Sequence, residues 1–511
     1  MSFGRTAWLD AWEAQVRVAT RASRCAAWRY LATGNDKDTA RREAERMTIL
    51  VEPTARAWLH RLISDPEPEP SIARRAELLL RQSDAARILS FRDLAMREAS
   101  LLRLHADMRA GGNGTKLADS DLLGVLRFEE DRRERERAWR ARGAPAAMLE
   151  PSMIELFKTR NEAASSLGIG NFHSFQLAQA EIDEQRLDAL AQALESETRD
   201  AWRLVLEEHC ETLGVSEPRP WDLQFDALGF SRQAGVHLDR PASLEFLSRA
   251  LERMGLPLAR LPIQLDTDDR AGKSAHAWTL PVDPPTDVRV LVPRIRGIHD
   301  WRQLFHEMGH AVYSASHEPT LSWVLRDAPC PHGHEGIAQL FASMAWSRSW
   351  LQGIVGMPAE LVRRGAAFAR FEALAEVRLG LALFHFEAEA YRAPGPKLTR
   401  FWWGLFERFL GVPFHEEIPT WARVMHFVRG AGSAATYLLA DCAARQILDA
   451  MTRDLGGGTD HPEAGDWLAR LLRSGAARRF RDLMLDASGE DVGPDALIRW
   501  LNGDRDLAPG E

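Results

Sequence analysis

The residues best suited to chemistry lie between Ile298 and Phe341. Inside that stretch the chain reads HEMGH, from His306 to His310. Two histidines four apart share one face of an α-helix, one turn from each other. Both imidazoles can then reach one metal ion. Glu307, beside the first histidine, can poise a water on that metal and accept its proton. The surrounding residues predict the helix independently of the motif, because Trp301, Leu304, Phe305, Met308 and Val312 form an apolar stripe at helical spacing. Asp300 falls in the first turn, where a carboxylate suits the positive end of the helix dipole.

A catalytic zinc usually takes three protein ligands and keeps one position open. A metzincin would need Gly at 313 and His at 316, where this chain has Tyr313 and Ser316, with His317 one place off. The next candidates are His332, His334 and Glu335. Glu335 is preferred, because it opens a second helical pattern with Ile337, Leu340, Phe341 and Met344 as its apolar stripe. A glutamate at the start of such a helix can cross to the histidine helix and complete a His306, His310, Glu335 set.

The stretch resembles the zinc metallopeptidase clan of thimet oligopeptidase, oligoendopeptidase F and angiotensin-converting enzyme. HEMGH followed, twenty-five residues after its last His, by Glu335 in HEGIAQ has that clan's pattern. Upstream, Gly272 to Pro293 resembles the strand segment these peptidases place before the zinc helix, and His276 and Ala277 match a His-Ala pair that touches substrate. LFKTRNEAASSLGIGNF, Leu156 to Phe172, resembles their RN-x-x-A-x-x-x-G helix. MHFVRGAGSAATY, Met425 to Tyr437, sits where the clan has the His and Tyr that hold the reacting carbonyl, here His426 and Tyr437. The resemblance spans about residues 150 to 450. The chain departs from it at Ala338, Gln339 and Ala342, and in the Gly/Ala-rich run after His426, where relatives carry more tyrosine.

The resemblance implies a mostly α, two-lobed helical metallopeptidase with a deep central channel and one small β-sheet beside the zinc helix. It implies one zinc per chain and hydrolysis of short unstructured peptides, of the oligopeptidase or dipeptidyl carboxypeptidase type. Glu307 would be the general base, with Tyr437 and His426 serving the oxyanion and His276 and Ala277 binding substrate along an exposed strand edge. Lys273 and Arg429 could meet a substrate carboxylate. Alternatives are a same-fold zinc hydrolase acting on a modified peptide or natural-product amide, and a non-catalytic helical binding protein.

The rest of the chain sets the frame for these residues. Its length of 511 residues and 45% hydrophobic fraction suit one large two-lobed enzyme or several domains. A net charge of -8 gives no electrostatic footprint for nucleic acid. In EEDRRERERAWRAR, residues 129–142, acids and bases alternate, which predicts a solvated, salt-bridged helix. Four scattered cysteines, with no CxxC, do not make a disulfide framework, and Cys330 reads as a small buried or loop residue. The first residues carry Asp10 and Glu13 and lack an apolar signal core, and there is no apolar run of membrane-spanning length. A cytoplasmic monomer or homodimer, with a peptide substrate and no membrane or nucleic-acid partner, is therefore expected.

Helical patterns predominate from residue 2 to 108 and again after the zinc motif. DPEPEP at 65–70 and AGGNGT at 110–115 break the first series, and RGAP at 142–145 is the candidate boundary. The expected division is 1–145 as an N-terminal helical lid or lobe and 146–511 as the catalytic region. Short strands are expected only at 261–265, 275–280 and 288–292, placing a sheet at about 260–293 before the zinc site at 298–341.

Overall fold

A computed structural model describes residues 2–503, apart from 68, 110–118, 239–242, 296, 328–329, 414–417 and 431. The loop expected at 110–115 lies outside the described residues. The chain is mostly α-helical, with, among the described residues, one three-stranded sheet of order β1-β3-β2: β1 (Ile263–Asp266), β2 (Trp278–Asp283) and β3 (Asp287–Leu291). β1 runs parallel to β3, and β2 pairs with β3 antiparallel, which leaves β2 at an edge of the sheet. The three strands fall within a few residues of the expected ones.

The histidine helix runs Ile298–Ala315 and the glutamate helix Pro331–Met344. The latter begins before Glu335, because Pro331 fits the first turn, where a backbone N–H is not needed. A third helix, Ser433–Leu455, carries Tyr437. The apolar stripe of the histidine helix is fully buried, as are Ile337, Leu340 and Phe341 on the glutamate helix. Among the described residues, the glutamate helix packs most extensively on these two neighbours.

Two glycines set how closely the three helices approach. A Cβ on Gly309, inside HEMGH, would sit 2.6 Å from Ala338 Cα and 2.7 Å from the Ile337 carbonyl oxygen. A Cβ on Gly336 would sit 3.2 Å from Ala443 Cβ on the tyrosine helix. The Gly309 contact is with backbone, which cannot rotate away. Gly309→Ala should therefore push the histidine and glutamate helices apart. We expect a loss of about 1–3 kcal/mol of stability, the usual cost of overpacking, with weaker metal retention. Thermal unfolding and metal content of the variant check this; an unchanged protein would mean the helices can separate freely.

The apolar core is divided. Leu9, Trp12, Leu59, Leu79 and Ala86 belong to a cluster of the first helices, closed by Trp323, Val324 and Leu325. Most buried apolar residues after Ile88 join one large core that surrounds the histidine helix, and Leu122, Leu126 and Ala138 form a small cluster apart from it. The first helix (Ser2–Thr33) is tied to the sheet by ions: Arg17 pairs with Asp283 at 2.7 Å, and Arg24 donates to the Pro281 carbonyl at 2.8 Å and pairs with Asp327.

The charged run at 129–142 forms a helix, Arg132–Gly143, and Arg137–Glu134 and Arg140–Glu136 are its expected surface pairs. It is not wholly solvated, however. Arg135 is 1% exposed and, with Arg132, holds the buried carboxylate of Asp222. Trp402 and Trp403 are core residues, as a tryptophan pair in a helical pattern usually is. The helical pattern that continues after the zinc motif is interrupted at Gly475 and Gly489, both in the left-handed region that favours glycine. Among the described residues no helix is long and apolar enough to cross a membrane.

Candidate active site

The histidine and glutamate helices bring His306, His310 and Glu335 together. Their ligand atoms all lie within 4.8 Å of one another, and this is the one such group among the described residues. His306 Nε2 is 3.1 Å from Glu335 Oε1, and His310 Nε2 is 3.6 Å from Glu335 Oε2. The two imidazoles meet edge to face with centroids 4.7 Å apart. All three side chains are largely buried. Glu335 Oε1 nevertheless has no partner in hydrogen-bonding direction. Two imidazole nitrogens and a carboxylate that converge this closely are a donor set that fits zinc.

Burial opposes charge on His306, but the carboxylates of Glu335 and Glu307 outweigh it and raise its pKa. Burial depresses the pKa of His310. Burial also raises Glu307, against the pull of His306. The backbone of Glu307 is fixed from the sheet, where the Thr279 hydroxyl donates to its carbonyl oxygen at 2.6 Å.

The two rival histidines have other surroundings. His334 stacks on His310 at 4.1 Å and is edge-on to Tyr313, while His332 lies against Phe480 and within 3.3 Å of the Cys330 sulfur. Cys330 sits at the N-terminal cap of the glutamate helix, where burial pushes its thiol up to about 12. His317, out of register for a metzincin, is a core histidine bonded to the Arg326 carbonyl at 2.9 Å.

Tyr437 and His426 face one another, with ring centroids 5.3 Å apart. Burial raises the pKa of the Tyr437 phenol, and the carboxylates of Glu335 and Glu307 add to that. His276 is exposed. Ala277 is not on an open edge: it is 2% exposed, and β2 begins one residue later, at Trp278. Lys273 is held within its own loop, with Nζ 3.3 Å from Asp266 Oδ1 and bonded to the carbonyls of Asp266 and Asp268.

Three further residues support the site. Thr279 is one. Asp441 accepts from Gln339 Nε2 at 2.9 Å, and each of these residues stands one turn beyond Glu335 or Tyr437. That bond ties the glutamate and tyrosine helices in register. Arg160, fully buried, pairs with Glu98 at 2.7 Å and donates to the carbonyls of Phe427, at 2.7 Å, and Val428, at 2.5 Å. It thereby holds the short helix Met425–Arg429 that carries His426. The arginine of the RN pattern was the visible signal for this, but its distant partners were not.

Two solved structures share this fold. An oligoendopeptidase F structure superposes with a TM-score of 0.72 at 18% identity, covering 99% of this chain and 94% of that one. PZ peptidase A, solved with an inhibitor, gives a TM-score of 0.69 at 17% identity, covering 94% and 90%. The chain has the helical oligopeptidase fold. The likeness runs through nearly the whole length of the chain, beyond the segment 150–450 that carries the sequence resemblance. No protein-family model matches the chain, and no curated protein matches it by sequence.

Proposed function

We propose that this protein is a zinc-dependent peptidase that hydrolyses short, unstructured peptides. One observation carries the proposal: His306, His310 and Glu335 converge from two helices, with Glu307 next to His306 in the chain. The fold it shares with PZ peptidase A and oligoendopeptidase F, peptidases by name, supports it. When bound by the three residues, one zinc per chain supplies a Lewis acid for the scissile carbonyl and lowers the pKa of water. Glu307 takes the proton of the attacking water and passes it to the leaving amine. Tyr437, with His426 beside it, donates to the carbonyl oxygen as that atom gains charge.

An extended peptide would run along the segment before β2, where backbone N–H and C=O groups offer strand-like pairing. His276 meets the peptide from the open side, and Ala277 lies beneath it as the floor. Residues 1–145 form the lid side of a channel between two lobes and 146–511 the catalytic side. The helices before residue 90, which have an apolar core of their own, make up most of the lid. A cytoplasmic location and a monomeric or homodimeric state belong to the same proposal.

The channel gives a direct test. Unstructured peptides should be cut, and tightly folded proteins of the same composition should survive. Tyr437→Phe should lower kcat by about 10²–10³-fold, the usual effect of losing one oxyanion donor, with little change in KM. Rapid cleavage of a folded, protease-resistant protein, or an unchanged kcat in Tyr437→Phe, would contradict the proposal.

A further inference from the structure

Beside the candidate zinc site lies a cavity that the proposed reaction does not use. It holds about 700 Å³ of empty space, open solvent at its mouth included. Helix geometry fixes its position. Arg302 stands four residues before His306, Gln339 stands four residues after Glu335, and both line the cavity. Side chains four apart share one helix face, about one turn of 5.4 Å from each other. Asp441 lines the cavity from the tyrosine helix and accepts the Gln339 bond. Part-exposed residues run without a break from the three ligands into it. They are His310, His306 and Arg302 on the histidine helix, and Glu335, Gln339 and Ser343 on the glutamate helix. Ala342, one of the places where the chain departs from the oligopeptidase pattern, is also in the lining.

The long helix Ala359–Arg392 contributes Glu372 and Glu376 to the lining, and Trp346 and Trp500 add two indoles. Three carboxylates and two arginines therefore meet here, but both arginines are engaged. Arg302 donates to the two oxygens of Glu376 at 2.5 and 2.6 Å. Arg445 pairs with Asp449 at 3.3 Å, and its guanidinium carbon lies 5.4 Å from the ring centroid of Trp500. Among the described residues, neither Glu372 nor Asp441 has an arginine or lysine within ion-pair distance. Glu372 Oε2 is buried with no hydrogen-bond partner, and Oε1 is 3.8 Å from His299 Nδ1. Burial holds the pKa of His299 well below the usual range, so that ring is neutral and balances no charge. A carboxylate left in this state beside indole rings suits a cation, which the carboxylate and the ring faces both attract.

Glu372 is faced by His299 and Arg302 from the histidine helix and by Glu376 from its own, with Arg127 and Asp226 further off. Burial pushes its pKa up to about 8, and that of Asp441 up to about 7. Glu372 therefore keeps its proton at pH 7 while the cavity is empty. A cation arriving beside it favours the ionised form and expels that proton.

We propose that this cavity is a substrate subsite, in which Glu372 and Asp441 hold a cationic group of a peptide laid across the zinc site. The proposal rests on the peptidase reading of the neighbouring residues. The cation is either a lysine or arginine side chain close to the scissile bond or the free N-terminus of a short peptide. Two extended residues span about 7 Å, slightly more than one helical turn, so the group sits within about two residues of the cut.

The test uses one C-terminally amidated peptide in three forms. The first is N-acetylated, with arginine scanned over two residues on each side of the cut bond. The second carries citrulline, the uncharged isostere, at the same places. The third is the citrulline form with a free N-terminus. Binding is measured by calorimetry to the zinc-loaded Glu307→Gln protein, with and without Glu372→Gln, and cleavage is measured with the wild-type chain. A cationic form should bind about tenfold more tightly than the acetylated citrulline form, as expected for a charged hydrogen bond at a partly open site. Glu372→Gln should remove most of that ratio and still bind the uncharged form. The form that shows the preference names the source of the cation. Its binding at pH 7 should release up to one proton, seen as a heat that changes with the ionisation enthalpy of the buffer, and should release none at about pH 9.5. Equal binding of all three forms, a ratio unchanged in a folded Glu372→Gln variant, or tighter binding of the cation with no proton released at pH 7 overturns the proposal. Cleavage of all three forms with equal binding refutes the subsite and leaves the peptidase reading standing. A ratio that depends on Glu372, without cleavage of any form by the wild-type chain, sustains the binding role and refutes the peptidase reading.

Discussion

Glu307→Gln should lose peptide hydrolysis by about 10²–10⁴-fold while keeping its fold and its zinc. The substitution is nearly isosteric. It leaves His306, His310 and Glu335 as they are, and it leaves the Thr279 bond, which goes to the backbone carbonyl of residue 307. What it removes is an acceptor for the proton of the attacking water, since an amide oxygen is far too weak a base. The effect should fall on kcat, because the proton moves only as the water attacks. The measurement is steady-state cleavage of a short peptide alongside metal content and thermal unfolding of the same preparation. A variant with full zinc and near-normal turnover would show that another group accepts the proton.

Glu335→Ala should lose zinc outright under conditions where His334→Ala and His332→Ala keep it. Glu335 offers one oxygen toward each histidine, at 3.1 Å and 3.6 Å, whereas His334 is stacked on the ring of His310 and His332 lies against Phe480. Partners outside the ligand shell typically cost about 10–100-fold in metal affinity, so His334→Ala, which unpacks one face of His310, should weaken binding within that range. Removing Glu335 should cost more, because it leaves two ligands where a catalytic zinc takes three. Titration with a competing chelator ranks the three variants. Retention of zinc by Glu335→Ala, with loss in either histidine variant, would move the third ligand.

How much of this was visible in the sequence follows from the range over which each signal acts. The histidine helix was legible because its buried stripe and its two histidines repeat at the helical period within one segment. The glutamate helix was legible for the same reason, although its start was placed late, since Pro331 was not recognised as its first turn. The strands were found from short alternating runs between prolines, to within a few residues. The buried edge at Ala277 was not, because exposure depends on what packs over a strand, and that comes from elsewhere in the chain. The same limit hid Asp441 and the role of Arg160, whose partners lie about a hundred or more residues away. Arg135 shows the reverse case. Its alternating charged neighbours describe the surface of its helix correctly, but not the one arginine that turns inward to Asp222.

The central claim is that the converging His306, His310 and Glu335 make this helical chain a zinc peptidase. The most direct measurement is a digest of an unstructured peptide library, read by mass spectrometry, with the protein as purified, after chelation, and after zinc is restored. The account predicts cleavage that disappears with the metal and returns with about one zinc per chain. Cleavage that is indifferent to chelation, or no cleavage by a fully zinc-loaded chain, would contradict it.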